Sequence, residues 1–268
     1  MTVTAKTSPL LRERRRRRIT YIVAIVVLGG AALLADWATI QRNFFQPDII
    51  RRMFPDVLTI GAKNTIIYTT LAFTFGLVLA LGLALMKRST VAPFRWFAIG
   101  YIELFRGLPA LVTIILVAFG LPLAFGWRIP LGTLGKGTIG LGLVAGAYMA
   151  ETIRAGIEAV PSGQMEAARS LGMSRGTAMA YIILPQAFRI IIPPLTNELV
   201  LLIKDTSLLF VIGTTTASKE LTKFARDFMT NTQNATPLAV VAAVYLLITL
   251  PLTWVVRKLE KSANKGKR

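Results

Sequence analysis

The chain has no cysteine and no histidine. Without thiols there is no disulfide framework and no thiolate metal site. Without imidazole the commonest general base and metal ligand is missing, so neither a Ser/His/Asp triad nor a zinc site of the usual kind can be assembled. Negative charge is scarce as well: 13 Asp and Glu stand against 31 Lys and Arg, a formal charge of +18. The sequence has no Gly/Ser linker to separate a second domain and no evident internal repeat. What it does have is apolar residues, 54% of the total, with a mean hydropathy of +0.59. They come in long blocks, and a soluble domain of 268 residues needs more polar surface than this.

Six candidate membrane spans emerge, near residues 19–35, 64–86, 96–125 (with an interruption), 138–157, 188–212 and 237–256. The expected fold is therefore an all-α integral membrane protein that crosses the membrane several times. The basic run Arg14–Arg18 abuts the first apolar block, where it serves as a topology anchor with anionic lipid contact. A nucleic-acid partner would rest on that run alone and is not expected. The block after it is longer than a signal-peptide core and is read as a retained span. With the N-terminus in the cytoplasm, segments 1–18, 87–95, 154–189 and 257–268 are cytoplasmic and hold 20 of the 31 Lys and Arg. The opposite side holds 9, so both termini are placed inside.

The long cytoplasmic loop between spans four and five is the most informative stretch. Pro161 suits a first helical turn and Ser162 a cap. Gly163 and Gln164 follow, and Met165–Leu171 is rich in strong helix formers. Gly172 stands where a helix ends in a left-handed residue. Ser174 can cap a second short helix running through Ile182 and Leu184 before Pro185. Two short helices with little side-chain bulk at Ala167 and Ala168 could dock into a partner's groove. An ordinary folded loop accounts for the same residues.

The spacing Glu166-Ala167-Ala168, Gly172, Ile182, Leu184-Pro185 resembles the EAA motif of ATP-binding-cassette importer permeases. Tyr101–Pro109 (YIELFRGLP), Ala147–Glu151 with Arg154, Pro193–Glu198 (PPLTNE) and Leu202–Leu208 (LIKDTSL) resemble further segments of the polar amino-acid branch. The likeness spans roughly residues 58–256. Two departures stand out: Leu108 replaces the usual Thr, and Thr113 stands where Gln is usual.

The resemblance implies a type I importer permease fold with cytoplasmic coupling helices, in the inner cell membrane. It divides the chain into a basic segment (1–18), an added first helix and outward loop (19–57), a permease domain (58–256) with its coupling loop (158–185), and a basic tail (257–268). It implies that Gly163, Glu166, Ala167, Ala168, Gly172, Leu184 and Pro185 engage an ATPase. Expected partners are an ATPase subunit dimer, a second permease subunit and an extracytoplasmic amino-acid-binding protein. ATP and Mg belong to the ATPase, because this chain carries no G-x-x-x-x-G-K-[ST] phosphate loop; it is a transport subunit, not an enzyme. Overall likeness makes glutamate the first substrate expected. An ion-coupled secondary transporter is the alternative, although it has no need of the coupling loop.

Charges inside apolar stretches are costly and therefore functional candidates. Glu103 and Arg106 are three apart and could pair, as could Glu151 and Arg154, which also suit a brace for the coupling loop. Lys204 and Asp205 are adjacent and need separate partners. Asn197 and Glu198 follow the Pro193-Pro194 pair, read as a break whose freed backbone groups call for a polar cavity. The path candidates are thus Glu103, Arg106, Asn197, Glu198, Lys204 and Asp205.

Overall fold

A computed structural model of the protein describes residues 9–265. The outermost parts of the basic N-terminal segment and tail, residues 1–8 and 266–268, lie outside the described residues. No strand occurs among the described residues. The chain divides into two compact units, residues 1–46 and 47–268. Helix α3 thus groups with the larger unit rather than with the added first helix.

In the smaller unit, α1 (Pro9–Leu34) carries Arg16–Leu34, a stretch long and apolar enough to cross a membrane. From Ile19 to Leu34 its apolar side chains are exposed, as a lipid-facing helix requires. Helix α2 (Trp37–Phe44) is capped by Asp36, which accepts bonds from the Thr39 backbone N–H (3.0 Å) and hydroxyl (2.6 Å).

The larger unit runs α3 (Pro47–Met53), α4 (Lys63–Lys87), α5 (Ala92–Gly107), α6 (Ala110–Ile115), α7 (Leu121–Phe125), α8 (Gly132–Glu158), α9 (Ser162–Ser170), α10 (Arg175–Ala178), α11 (Leu184–Asp205), α12 (Leu221–Thr232) and α13 (Thr236–Lys265). Short π-helical stretches lead into α4 and α11 and join α6 to α7. With its π-helical lead, α4 is long and apolar enough to cross a membrane over Val57–Lys87, as is α13 over Thr236–Ser262. The interrupted third span is not a single rod. It splits into α5 and α6–α7, bent by 108° at the break. The break falls at Leu108-Pro109, where both residues adopt extended backbone angles that no helix contains.

Helices α8 and α11 are also long enough to cross, at 27 and 22 residues, but carry many small and polar residues along their length. Their neighbours explain this: both lie against other helices, so small and polar residues replace bulk aliphatic ones. Gly76 of α4 faces Gly142 and Gly146 of α8 so closely that an added Cβ would sit 3.0 Å from the Gly142 carbonyl oxygen and 3.2 Å from the Gly146 nitrogen. Small residues at such a crossing let two backbones touch, and that contact holds helices together in lipid. The main core joins α4, α5, α6, α8 and α11 through Tyr68, Leu83, Ile102, Ile114, Leu141 and Met149. A second core on the outward side joins α3, α12 and α13 through Met53, Leu221, Phe224 and Val244.

The expected break at Pro193-Pro194 does not occur. Helix α11 runs through both prolines. Each proline removes one backbone bond, but the flanking turns are held by packing of Ile191, Pro193, Val200 and Leu202 in the interior.

Candidate functional site

A cavity of about 290 Å³ lies between α8, α11 and the α5–α6 break. Leu108 and Ala110 flank the break, Leu141, Val144, Ala145 and Tyr148 come from α8, and Leu201 and Leu202 from α11. Two carboxylates complete the lining, Glu198 and Asp205. They are seven residues apart on one helix, hence on one face and about 10 Å apart along the axis. The other path candidates stand elsewhere. Asn197 and Lys204 are exposed on other faces of α11, and Glu103 and Arg106 are exposed on α5. Glu103 and Arg106 form no ion pair; Arg106 instead sits 5.7 Å from the centre of the Tyr148 ring, a cation–π distance. Tyr148 and the Leu108 turn therefore belong to the cavity, although only their motif context marked them in the sequence.

The cytoplasmic loop forms two short helices. Pro161 occupies the cap position of α9 and Ser162 the first turn, the reverse of the expected assignment; no side chain caps this end. The proline has no N–H to place, and its extended ψ turns the chain into the helix. At the other end Gly172 is left-handed (φ 84°). Its N–H donates to Arg169 O (3.0 Å) and that of Met173 to Ala168 O (3.1 Å), which closes the helix in a Schellman motif. Ala168 turns inward and is buried, while Gly163, Glu166 and Ala167 face solvent. Leu171 is 84% exposed beside them, an apolar side chain that the sequence pattern did not single out.

Ser174 caps α10 by accepting from Thr177 N–H (3.1 Å). This second helix does not stop before Pro185: a π-helical stretch, Met179–Ile183, carries it directly into α11, where Pro185 falls in the first turn. The wider π-helical turn just before it accommodates the backbone bond that the proline cannot make. Leu184 is half-buried and Pro185 exposed. Gln186 of α11 donates to Gln164 of α9 (3.2 Å), so the loop is tied to the helix that lines the cavity.

Glu151 and Arg154 do pair, and the pair is part of a larger network. Arg154 Nε lies 3.0 Å and 3.1 Å from the two Glu151 oxygens, with a further contact through Nη2. Arg154 also contacts Glu158. Lys87, the last residue of α4, reaches across to Glu151 at 3.0 Å. Nothing in the sequence pointed to Lys87, which is 64 positions away.

On the outward side, the segment between α11 and α12 is pinned to α4. Asn64 Nδ2 donates to Ala217 O (2.8 Å) and Lys219 O (2.9 Å), and Tyr68 Oη donates to Ser218 O (3.3 Å). Glu220 caps α12, accepting from the backbone N–H of Thr222 and Lys223 at 2.6 Å each. It is fully buried. Burial pushes its carboxyl up to about 7, against the opposing pull of those two N–H bonds.

Residues 72–265 match the family described as binding-protein-dependent transport system inner membrane component. The chain belongs to this family. It is 38% identical over 207 residues to a probable glutamine ABC transporter permease protein of Bacillus subtilis, covering 77% of this chain and 93% of that protein. It is 36% identical over 279 residues to an arginine transport system permease protein of Corynebacterium glutamicum, covering 98% of this chain and 86% of that one. Among solved structures, that of an amino acid ABC transporter with histidines superposes with a TM-score of 0.73 at 38% identity, over 80% of this chain and 96% of that one. The chain is thus a permease component of the inner membrane, with the helical fold of type I importers.

Proposed function

We propose that this permease imports a polar amino acid with a cationic or neutral side chain, driven by ATP hydrolysed on a separate subunit. The observation that carries the reading is the cavity with Glu198 and Asp205. Its volume suits a small solute, and its walls are apolar with few polar groups, as in small-molecule sites generally. Two carboxylates on one helix face attract the ammonium of any amino acid. A dibasic one offers a second positive group to the second carboxylate. A third carboxylate, on glutamate, would be repelled at short range in a low-dielectric site. The geometry therefore favours arginine-like or glutamine-like solutes over the glutamate expected from overall likeness. The relatives named for arginine and glutamine transport point the same way.

The ATPase is assigned to α9, whose exposed Glu166, Ala167 and Leu171 suit a protein groove, with the Schellman turn at Gly172 holding the helix end. A second permease subunit, the ATPase pair and an extracytoplasmic binding protein complete the assembly in this reading.

The test is uptake by proteoliposomes containing the complex purified through a tag on this chain, with its binding protein supplied outside. Labelled arginine, glutamine and glutamate are compared, with and without internal ATP. The reading expects ATP-dependent uptake of arginine or glutamine, with Glu198→Gln and Asp205→Asn lowering arginine uptake by tenfold or more, about the value of one lost charge-assisted contact. Preferred uptake of glutamate would overturn the cavity argument. Uptake driven by an ion gradient without ATP would overturn the importer reading in favour of a secondary transporter.

A further inference from the structure

Three features converge on the cytoplasmic end of α8. The first is covalent: α9 begins four residues after α8 ends, and the intervening Val160 is buried in the main core. A displacement of α9 therefore acts on α8 with little slack. The second is packing. Helix α8 touches α4 backbone to backbone at Gly76, Gly142 and Gly146, and it meets α11 at Gly156, where an added Cβ would lie 2.2 Å from Ile191 Cγ1. The third is electrostatic: the Lys87–Glu151–Arg154–Glu158 network joins the ends of α4 and α8 where the glycine contacts stop.

Glu151 is the centre of that network. It is the only member that bonds both helices, taking Lys87 from α4 and Arg154 from its own. The side chains of Lys87, Glu151 and Arg154 are only 21–26% exposed, so water screens them less than a surface pair. Two cations against two carboxylates leave the group neutral. Removal of Glu151 alone would leave Lys87 without a partner close to the positive Arg154 and drive the two helix ends apart. Helix α8 also supplies Leu141, Val144, Ala145 and Tyr148 to the cavity. One rod thus connects the coupling helix to the solute.

We propose that Glu151 is the positioning residue that clasps α4 to α8, so that movement of α9 reaches the cavity as displacement of a single α4–α8 body. This rests on the importer reading, in which α9 is driven by an ATPase. Glu151 touches no solute and contributes no chemistry; its effect is on how much transport each ATP drives. The cavity carboxylates play no part in the argument.

The experiment uses the same tagged complex in proteoliposomes, with labelled arginine as the probe and glutamine as a second probe. Solute imported per ATP hydrolysed is measured for wild type, Glu151→Gln, Lys87→Met, and the conservative control Lys87→Arg, which keeps a cation on α4 opposite Glu151. Lys87→Met removes only the bond between helices and leaves Arg154 fully paired, which separates the clasp from local folding. Assembly with the ATPase is followed by size-exclusion chromatography. We expect Glu151→Gln and Lys87→Met to assemble and to keep basal ATP hydrolysis, while solute per ATP falls by roughly fivefold or more. Lys87→Arg should keep at least half of the wild-type ratio. An unchanged ratio in both Glu151→Gln and Lys87→Met would overturn the proposal. So would loss of assembly or of basal hydrolysis in those two variants, which describes a merely structural role. A wild-type complex that imports without ATP would instead overturn the importer reading itself, an outcome distinct from either.

Discussion

Consider alanine at Gly76. The added Cβ would lie 3.0 Å from the Gly142 carbonyl oxygen, 3.2 Å from the Gly146 nitrogen and 2.9 Å from Met149 Cε. The methionine end can swing away, but the two backbone atoms move only if α4 and α8 separate by several tenths of an ångström. Overpacking of this kind costs about 1–3 kcal/mol. Alanine also gains about 1 kcal/mol of helix propensity over glycine, which would mask part of that cost. Gly82, on the same helix with nothing within 4 Å of its Cβ position, supplies the correction. Gly82→Ala gains the propensity and meets no obstacle. The difference between the two variants is therefore the steric cost alone, about 1–3 kcal/mol, or about 2–4 °C of apparent Tm for each kcal/mol in a chain of this size. The assay is thermal unfolding of the detergent-purified complex, monitored by loss of the monodisperse peak. Equal Tm values for Gly76→Ala and Gly82→Ala would refute the close approach of α4 and α8, and with it the single-body argument for the clasp.

Other outcomes follow from the same geometry. Gly172→Val forces a β-branched residue to a φ of 84°, which undoes the Schellman turn; ATP-dependent uptake should fall sharply while membrane insertion, read by protease protection, stays intact. Normal uptake by that variant would remove α9 from the coupling role. Glu220 binds its proton more tightly in the folded state, with its carboxyl raised from 4.5 to about 7. Its contribution to stability is thus complete below pH 4.5 and is lost as pH rises through 7, by on the order of 3 kcal/mol in total. Glu220→Gln should flatten that part of the Tm-against-pH curve between pH 5 and 8, and parallel curves would show that the buried carboxyl does not titrate there. Lys219 and Lys223 share Asp227 at 2.6 and 2.7 Å. Asp227→Asn should lower stability only modestly, by about 1 kcal/mol, read as a small drop in Tm, since the pairs are partly exposed; a larger drop would mean that they are shielded from water.

Much of the architecture is local and was therefore readable in the residues. Apolar blocks longer than a bilayer is thick must be helices, because no other open structure satisfies its backbone in lipid. Gly172 had to be left-handed at a helix end, and Ser174 had to cap the next helix, because those requirements involve only a few neighbouring residues. The motif spacing pointed to the transport family that the comparison then showed. Where local rules met tertiary packing they gave way: α11 continues through Pro193-Pro194, and α10 continues into α11 past Pro185.

What the sequence could not decide is which charges meet. Six intramembrane residues were candidates for the path, with Asn197 and Glu198 preferred; Glu198 and Asp205 face the cavity because α11 turns that side toward α8. Glu103 and Arg106 had the spacing of a pair, yet Arg106 rests on Tyr148. Lys87 reaches Glu151 only because glycine contacts bring α4 and α8 together along their length. Glu220 has an ordinary loop context in the sequence and is fully buried between helices in the fold. Hydropathy and backbone hydrogen bonding act over a few residues, so the chain itself determined its helices and their caps. A charge's partner and its burial depend on helices far apart in the chain, and only their packing decided those.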